Sequence, residues 1–422
     1  MITKRNVLVV SFALFSLFFG AGNLILPPQL GFKSGDTWWL ITLGFCLSAV
    51  LIPIFGILAH AKLQGTMFDF AKKVSPAFSL IYCYLVYAIS ISLPSPRTAS
   101  VTHEMGIEPF FGSSSLLTSV IYFVLVFIFV INRSKILDLV GKLLTPAIIL
   151  ILICIIAQAL FGFEFNFGQT QFDSPFTSGI LEGYQTFDAI GAVVVGGVII
   201  ISINLKNDKL PYEQKRSGIA KAGLFSGLGL FLIYTGLVLT GALMHNEFDA
   251  AISRTSLLSG ISLKTLGNTA NIFLSILVSL ACFTTAVGIV TGTADFVKGQ
   301  FKNAKNAYLI TAIIGCLLGI IMGQFNVGYI IAVALPALMF IYPITIVLIL
   351  LNVVPNKYAS ATVFRVVVLA TIVFSIPDFL GSIGFGGSIA SFTNWIPLSE
   401  FQMGWVLPAL VAFVVANIKP NR

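Results

Sequence analysis

The chain has 422 residues, of which 57% are hydrophobic and only 9% are charged, and its formal net charge is +8. A soluble globular chain is about half apolar and about a quarter charged, so a chain this poor in charge cannot cover a water-facing surface, and lipid is the solvent it fits. The five cysteines lie inside apolar runs without CxxC spacing, which excludes a disulfide framework and a cysteine-based metal site.

Twelve apolar runs are long enough to cross a bilayer. A spanning helix needs about 20 mostly apolar residues, so we predict an all-α membrane protein with about twelve transmembrane helices. The stretch Gly381–Ser399, before the last run, is rich in Gly and Ser and is expected to be re-entrant or extracellular. In chain order the runs are Val7–Leu30, Trp38–His60, Ser75–Arg97, Ser115–Ile131, Leu139–Gly162, Thr177–Ile203, Ile219–Leu243, Thr269–Val297, Ala307–Phe325, Val327–Leu351, Thr362–Leu380 and Gly404–Ile418.

The positions of the basic residues test this map. Cytoplasmic loops of membrane proteins carry an excess of Lys and Arg. With the N-terminus in the cytoplasm, only Lys33, Arg97, Arg254 and Lys264 of the 24 lysines and arginines fall on the outer side. The distribution therefore predicts that both termini are cytoplasmic, and it explains the net positive charge without nucleic acid.

The polar stretches between the runs are too short to fold as a soluble domain. The longest are Gly162–Phe176, Asn204–Gly218 and Met244–Asn268, and none contains a Gly-rich phosphate-binding loop that follows a strand. The chain by itself is therefore not predicted to be an ATP-driven pump, and no ATPase partner is implied. The energy for any transport would come from an ion gradient, or from a partner outside this chain.

Two of the apolar runs contain residues that interrupt a helix. The first run holds Phe19–Asn23, with two glycines and an asparagine, and Pro27 and Pro28 follow it. The sixth run begins with Gly179–Ala192, which includes the acidic residue Asp188. Glycine and proline weaken a helix, and an unwound backbone at membrane depth is tolerated only where it lines a cavity or is buried in protein.

The two interruptions occupy corresponding places in two halves of the chain. We predict a first five-helix repeat over 7–162, a second, inverted five-helix repeat over 177–352, and two additional helices over 362–418. Interrupted helices in corresponding positions indicate a transporter binding site, since half-helix N-termini suit anions and freed carbonyls suit cations. Alternatively, each glycine only permits close packing of helices.

Two charged residues lie in or beside the predicted spans. A charge at the bilayer centre costs at least about 2.5–3.5 kcal/mol on insertion scales, so Asp188 is interpreted as a ligand for a cation or an ammonium group, as a proton carrier, or as a carboxylate that caps the half-helix. Pro94–Thr98 is expected to end the third span on the outer side. There Arg97 would either close an outer gate or extend to the membrane interface.

The eighth run contains Ala281, Thr284 and Thr285 near its middle. Adjacent threonines place two hydroxyl oxygens on neighbouring faces of the helix, and hard cations such as sodium prefer oxygen ligands. Alternatively, the hydroxyls bond back to carbonyls of their own helix, as buried threonines commonly do. The residues alone leave both interpretations open.

Three segments, Phe19–Pro28, Pro96–Ala99 and Glu182–Ala189, together resemble the BrnQ-type branched-chain amino acid carriers of bacteria. The resemblance covers essentially the whole chain. That family is similar to the wider amino acid–polyamine–cation group, whose fold is a five-plus-five inverted repeat with broken first and sixth helices. The resemblance implies uptake of leucine, isoleucine and valine across the inner (plasma) membrane by alternating access, coupled to sodium or to protons.

The resemblance also implies roles for residues. A sodium ion would bind the eighth-helix pattern Ala281, Thr284 and Thr285 together with the carbonyls of the first break. The first half of the substrate site would run from Gly20 to Asn23. The remaining assignments are the carbonyls of Ser16 and Phe19 for sodium, the N–H groups of Ala21 and Gly22 for the substrate carboxylate, the groups of Gln185, Thr186 or Asp188 for its ammonium, and Asn23 for a second sodium ion found in some relatives.

Three other functions compete with sodium symport. One is a proton-coupled amino acid carrier that uses Asp188 as its proton site. A membrane enzyme lacks support, because the polar segments contain no Ser/His pair, metal-ligand set or paired carboxylates. An ion channel would need a filter loop or a continuous pore lining, and the sequence shows neither.

Overall fold

The computed structural model describes residues 4–132, 136–194, 196–197, 211–301, 304–393 and 395–418, and throughout these ranges the regular elements are helices. The predicted all-α architecture is therefore confirmed. The α-helices are α1 Lys4–Phe18, α2 Ala21–Ser34, α3 Trp38–Cys46, α4 Ile52–Leu63, α5 Met67–Ala71, α6 Pro76–Ser92, α7 Pro94–Thr102, α8 Glu108–Phe111, α9 Ser115–Asn132, α10 Ile136–Gly162, α11 Pro175–Tyr184, α12 188–194, α13 Tyr212–Leu243, α14 Arg254–Lys298, α15 Ala304–Gly323, α16 Val327–Val353, α17 Ala361–Leu380, α18 Gly386–Thr393 and α19 Val406–Ile418.

These helices reproduce the twelve predicted spans. Among the described residues, nine continuous helical segments are long and apolar enough to cross a membrane, and they match nine of the predictions. The other three are the first and sixth spans, which are broken, and the twelfth, whose helix α19 has 13 residues. The predicted end of the sixth span at Ile203 lies outside the described residues.

The third span is longer than predicted, and its predicted end at Arg97 is wrong. The helix continues through α7 to Phe111. Pro94 lies in the first turn of α7, where a proline needs no intrahelical acceptor, and the ladder resumes through the Arg97 N–H to the Leu93 carbonyl at 3.2 Å. The prolines therefore start a new stretch of helix, and they place Arg97 inside the protein.

Two further segments refine the predicted map. The helix α14 begins in a polar stretch and turns at Gly267, where φ is +81°, so 254–266 forms a separate short helix before the eighth span. After α17, a π-helical turn over Gly381–Phe385 leads into α18. The first segment is a short helix before the eighth span, and the second continues the apolar helix of the eleventh span to Ile389.

The broken spans belong to different parts of the buried core. Phe19 and Leu24 join a cluster formed with residues of α10, α13 and α14. Tyr184 and Phe187 join a second cluster formed with residues of α6, α16 and α17. The two breaks therefore lie where the two halves of the core meet.

Candidate functional site

The first break lies at Phe19 and Gly20, between α1 and α2. In a continuous helix the Gly20 N–H would bond to the Ser16 carbonyl, and the Asn23 N–H to the Phe19 carbonyl. Here the Gly20 N–H bonds to the Phe18 carbonyl at 3.0 Å, and the Asn23 N–H to the Gly20 carbonyl at 3.2 Å. The carbonyls of Ser16 and Phe19 are thereby released from the helix ladder.

Glycine packing does not explain this first break. A Cβ added to Gly20 would find its nearest neighbour 3.8 Å away, which is ordinary contact. Farther along, at Gly31 and Gly241, a Cβ would overlap a backbone carbonyl of the facing helix, and these glycines do let α2 and α13 approach closely. Packing glycines and the break are therefore separate features of the same span.

The sixth span is broken between Tyr184 and residue 188. Phe187 has a φ of +62°, in the left-handed region that a phenylalanine rarely adopts. The Ala189 N–H, which would pair with the Gln185 carbonyl in a continuous helix, donates instead to the Tyr342 hydroxyl at 3.1 Å. The Gln185 carbonyl is thus available, and the Arg97 guanidinium donates to it at 2.7 Å.

A buried hydrogen-bond network joins the two breaks. The Asn23 amide donates to the Asp188 carboxylate at 2.6 Å and also to the Tyr234 hydroxyl. Tyr234 donates to the same carboxylate oxygen at 3.4 Å. Asn23, Asp188 and Tyr234 are all buried. The structure therefore brings the predicted residues 20–23 together with Gln185, Thr186 and Asp188.

Thr186 organises the second half-helix. Its hydroxyl donates to the Gly183 carbonyl at 2.8 Å and accepts from the Asp188 N–H at 3.2 Å. The threonine thus satisfies one backbone group on each side of the break. Asp188 bonds with its side chain to Asn23, so the predicted alternative, a carboxylate that serves only as a helix cap, does not describe its contacts.

A small cavity lies between the first break and α14. Its volume is about 20 Å³, which is enough for one water-sized particle. All five residues predicted to bind sodium line it, together with three from α10 that the sequence did not indicate. The lining residues are Ser16, Phe19, Leu144, Thr145, Ile148, Ala281, Thr284 and Thr285.

The threonine hydroxyls at this cavity bond within their own helix. Thr284 and Thr285 donate to the Ala281 carbonyl at 3.0 and 2.8 Å, as the alternative interpretation of these residues expects. Each hydroxyl oxygen keeps lone pairs for another partner. Thr145 from α10 donates to the Ser16 hydroxyl at 2.7 Å, so four hydroxyl-bearing residues line the cavity.

Beyond the two breaks, on the predicted outer side, lies a cavity of about 740 Å³. Gln29 and Ser100 line it, and they lie two turns beyond Gly22 and one turn beyond Arg97 along their helices. Nearby, Arg254 forms a bidentate ion pair with Glu182 of α11, with N–O distances of 2.9 and 3.0 Å. The cavity therefore approaches the junction of the breaks from the outer side.

Three contributors to these sites are not indicated by the sequence: Thr145, Tyr234 and Tyr342. Arg97 is expected on the outer side, where it would either close a gate or extend to the membrane interface, whereas the structure buries it against both breaks, 4% exposed. The tyrosines and Thr145 sit in ordinary apolar runs, and nothing in their local sequence distinguishes them. Their distinguishing property is a polar group on a side chain that is buried beside a break or the cavity. The sequence alone does not show which side chains are buried there.

Comparison with known proteins identifies the family of the chain. The family model described as "Branched-chain amino acid transport protein" matches residues 3–422. A branched-chain amino acid permease, BraB of Bacillus subtilis, is 32% identical over 98% of this chain and 95% of its own length. The permease BrnQ of Salmonella typhimurium is 28% identical, with the same two coverages.

Two solved structures share the fold. An inward-facing conformation of Mhp1 matches with a TM-score of 0.64 and 12% identity, covering 98% of this chain and 90% of that one. MhsT in complex with L-phenylalanine matches with a TM-score of 0.57 and 14% identity, covering 99% and 98%. The chain therefore has the inverted-repeat fold of these membrane transporters, with broken first and sixth helices and two additional C-terminal helices, and it belongs to the family of branched-chain amino acid transport proteins.

Proposed function

We propose that the protein is a secondary transporter that carries leucine, isoleucine and valine into the cell together with sodium, by alternating access. The observation that carries the sodium coupling is the cavity between the first break and α14. Ser16, Phe19, Thr284 and Thr285 all line this cavity, and the carbonyls of Ser16 and Phe19 are released from the helix ladder. Neutral oxygens in this arrangement suit a hard cation.

The substrate would lie between the two breaks. Ala21 and Gly22 are the first residues of α2, and N–H groups at a helix N-terminus lack intrahelical acceptors and favour a carboxylate. Gln185, Thr186 and Asp188 supply oxygens for the ammonium. An aliphatic side chain gains about 0.8 kcal/mol for each buried methylene, so an apolar pocket would favour leucine, isoleucine and valine over alanine.

The protein is a multi-pass membrane protein of a bacterial permease family. We further propose that it resides in the inner (plasma) membrane with both termini in the cytoplasm. Its first repeat would extend over 7–162, its second over 177–352, and its two additional helices over 362–418. Cysteine accessibility in intact cells at the loop between α5 and α6 and at the loop between α8 and α9 tests this orientation.

Uptake of labelled leucine into proteoliposomes tests the coupling. An inward sodium gradient should drive accumulation, and a potassium gradient of the same size should not. Equal uptake under the two gradients would contradict sodium symport.

A substitution locates the sodium site. Thr284→Ala removes one of the hydroxyl oxygens and should raise the sodium concentration for half-maximal uptake by about tenfold, the usual effect of one lost hydrogen-bonding group. Thr293→Ala is the matched control, because Thr293 lies on the same helix and bonds back to the Ile289 carbonyl at 2.8 Å, away from the cavity. If the two variants behave alike, the assignment of the sodium site is wrong.

One observation favours a second candidate, a proton-coupled carrier. The Asp188 carboxylate is buried and accepts hydrogen bonds from the neutral side chains of Asn23 and Tyr234. Ionisable carboxylates inside membrane-spanning segments commonly serve as proton carriers in pumps and transporters. A pH gradient without sodium should then drive uptake in the wild type and fail to drive it in Asp188→Asn, which separates this function from sodium symport.

A further inference from the structure

Arg97 touches both broken helices. Its Nη1 donates to the Gln185 carbonyl at 2.7 Å. On the other side, a Cβ built on Gly22 would lie 2.5 Å from its Nη2, so the guanidinium lies directly against the first turn of α2. The guanidinium carbon is 5.3 Å from the centre of the Phe187 ring, which gives a cation–π contact.

No carboxylate of the described part of the chain lies within ion-pair distance of Arg97, and Asp188 attracts its positive charge only from farther away. Asp188 is occupied by Asn23 and Tyr234, and Glu182 is paired with Arg254. Arg97 is nevertheless 4% exposed, and its Nε has no hydrogen-bond partner there. A guanidinium has five N–H donors, and a buried charge without a counter-ion is costly.

We propose that Arg97 binds the carboxylate of the amino acid substrate, an inference that rests on the proposed function. The guanidinium and the N–H groups of Ala21 and Gly22 lie together at the N-terminus of α2. Both favour negative charge, and the planar guanidinium can bind a carboxylate with two parallel hydrogen bonds. The substrate carboxylate is thus the counter-ion of Arg97.

This arrangement also explains two features of the breaks. Gly22 is required because any side chain there would enter the space of the guanidinium. The left-handed conformation of Phe187 places its ring against the same group. If Arg97 served only to hold the Gln185 carbonyl, one of its N–H donors would be explained. The unpaired Nε and the position of Nη2 against α2 would have no explanation.

The experiment compares leucine with leucinamide, which keeps the ammonium and the side chain but lacks the carboxylate. Each ligand is titrated calorimetrically into the purified full-length protein in sodium buffer. The wild type should bind leucine at least about tenfold more tightly, the usual value of a charged hydrogen bond. In Arg97→Gln, leucine binding should weaken by about tenfold or more, and leucinamide binding should stay, so that the preference for leucine falls by the same factor.

Two further variants complete the test. Arg97→Lys keeps the charge and should retain part of the preference for leucine, and it provides the measurement if Arg97→Gln does not fold. Arg254→Gln removes the arginine of the outer ion pair and should leave the preference at its wild-type value.

The outcomes separate this inference from the proposed function. If Arg97→Gln weakens leucine and leucinamide equally, Arg97 only holds the sixth break and the inference is overturned. If the wild type binds leucine equally well without sodium, the sodium coupling fails while the changed preference still supports Arg97. If the wild type binds neither compound, the substrate assignment and the role of Arg97 both fail.

Discussion

At the first break the backbone passes through Gly20, with φ −99° and ψ −173°, whereas at the sixth it passes through Phe187, with φ +62°. The first conformation is open to any residue. The second costs of order 1–3 kcal/mol for a residue other than glycine, and it persists only where the surroundings hold it. Here Arg97 and Tyr342, from two other spans, bond to the backbone of the sixth break.

The comparison shows that the two halves of the site are sensitive to different kinds of substitution. The first break is a local property of its own residues, and it is sensitive to added atoms, because the guanidinium of Arg97 fills the space in front of Gly22. The sixth break depends on neighbouring spans, and it is sensitive to lost partners. Substitutions of the two kinds can therefore test the comparison directly.

The largest effect is expected at the first break. Gly22→Ala would place a methyl group 2.5 Å from Nη2 of Arg97, so the buried guanidinium would have to shift away from α2, and its bond to the Gln185 carbonyl would be disturbed. Overpacking of this kind costs about 1–3 kcal/mol, so the kcat/KM for leucine uptake should fall by about 10- to 100-fold. Gly288→Ala is the control, because a Cβ there has no neighbour within 4 Å. Wild-type uptake by Gly22→Ala would show that Arg97 does not occupy this space.

The same contrast decides what the sequence could predict. The sequence predicts the first break within the five residues Phe19–Asn23, because the glycines there weaken the helix locally, and the structure places it at Phe19 and Gly20. The sixth was predicted only as the range Gly179–Ala192, because the groups that fix it come from distant parts of the chain. Arg97 was misplaced for a related reason: its neighbouring prolines are typical of a helix end, but here they occupy the first turn of a helix that continues.

The sequence predicts the sodium cavity less completely than the first break and more completely than the sixth. The eighth run itself indicates Ala281, Thr284 and Thr285 as one interpretation, and the family resemblance adds Ser16 and Phe19. The structure places all five residues around one cavity. Local sequence did not identify Thr145, since its contribution depends on how α10 packs beside α1. Whether sodium binds there stays a prediction, which the Thr284 variant tests.

A smaller effect is expected from a lost partner at the sixth break. Tyr342→Phe leaves the Ala189 N–H without its acceptor, and an unpaired buried donor costs about 1–3 kcal/mol. The second half-helix should then be held less firmly, and the KM for leucine should rise by about tenfold.

The matched control for this variant is Tyr82→Phe. Tyr82 is also buried, and its hydroxyl bonds to Thr345 at 2.9 Å, away from the breaks. Both variants should lower thermal stability in detergent by similar amounts, but only Tyr342→Phe should change the KM. An equal KM change in the two variants would mean that Tyr342 acts on stability alone.

The smallest effect is expected at the outer end of the sixth span, where Glu182 and Arg254 form their ion pair. The side chains are 25% and 22% exposed, so solvent screens the interaction, and its coupling free energy should be at most about 1 kcal/mol. Melting temperatures of Glu182→Gln, Arg254→Gln and the double variant should give this coupling through a double-mutant cycle, and it should shrink as salt is raised. By contrast, the effect of Gly22→Ala should not depend on salt, because it arises from overlap of atoms. A large, salt-independent coupling would mean that the ion pair is one of the contacts that hold the sixth break in place. The sixth span would then depend on neighbouring helices at its outer end as well as at its break.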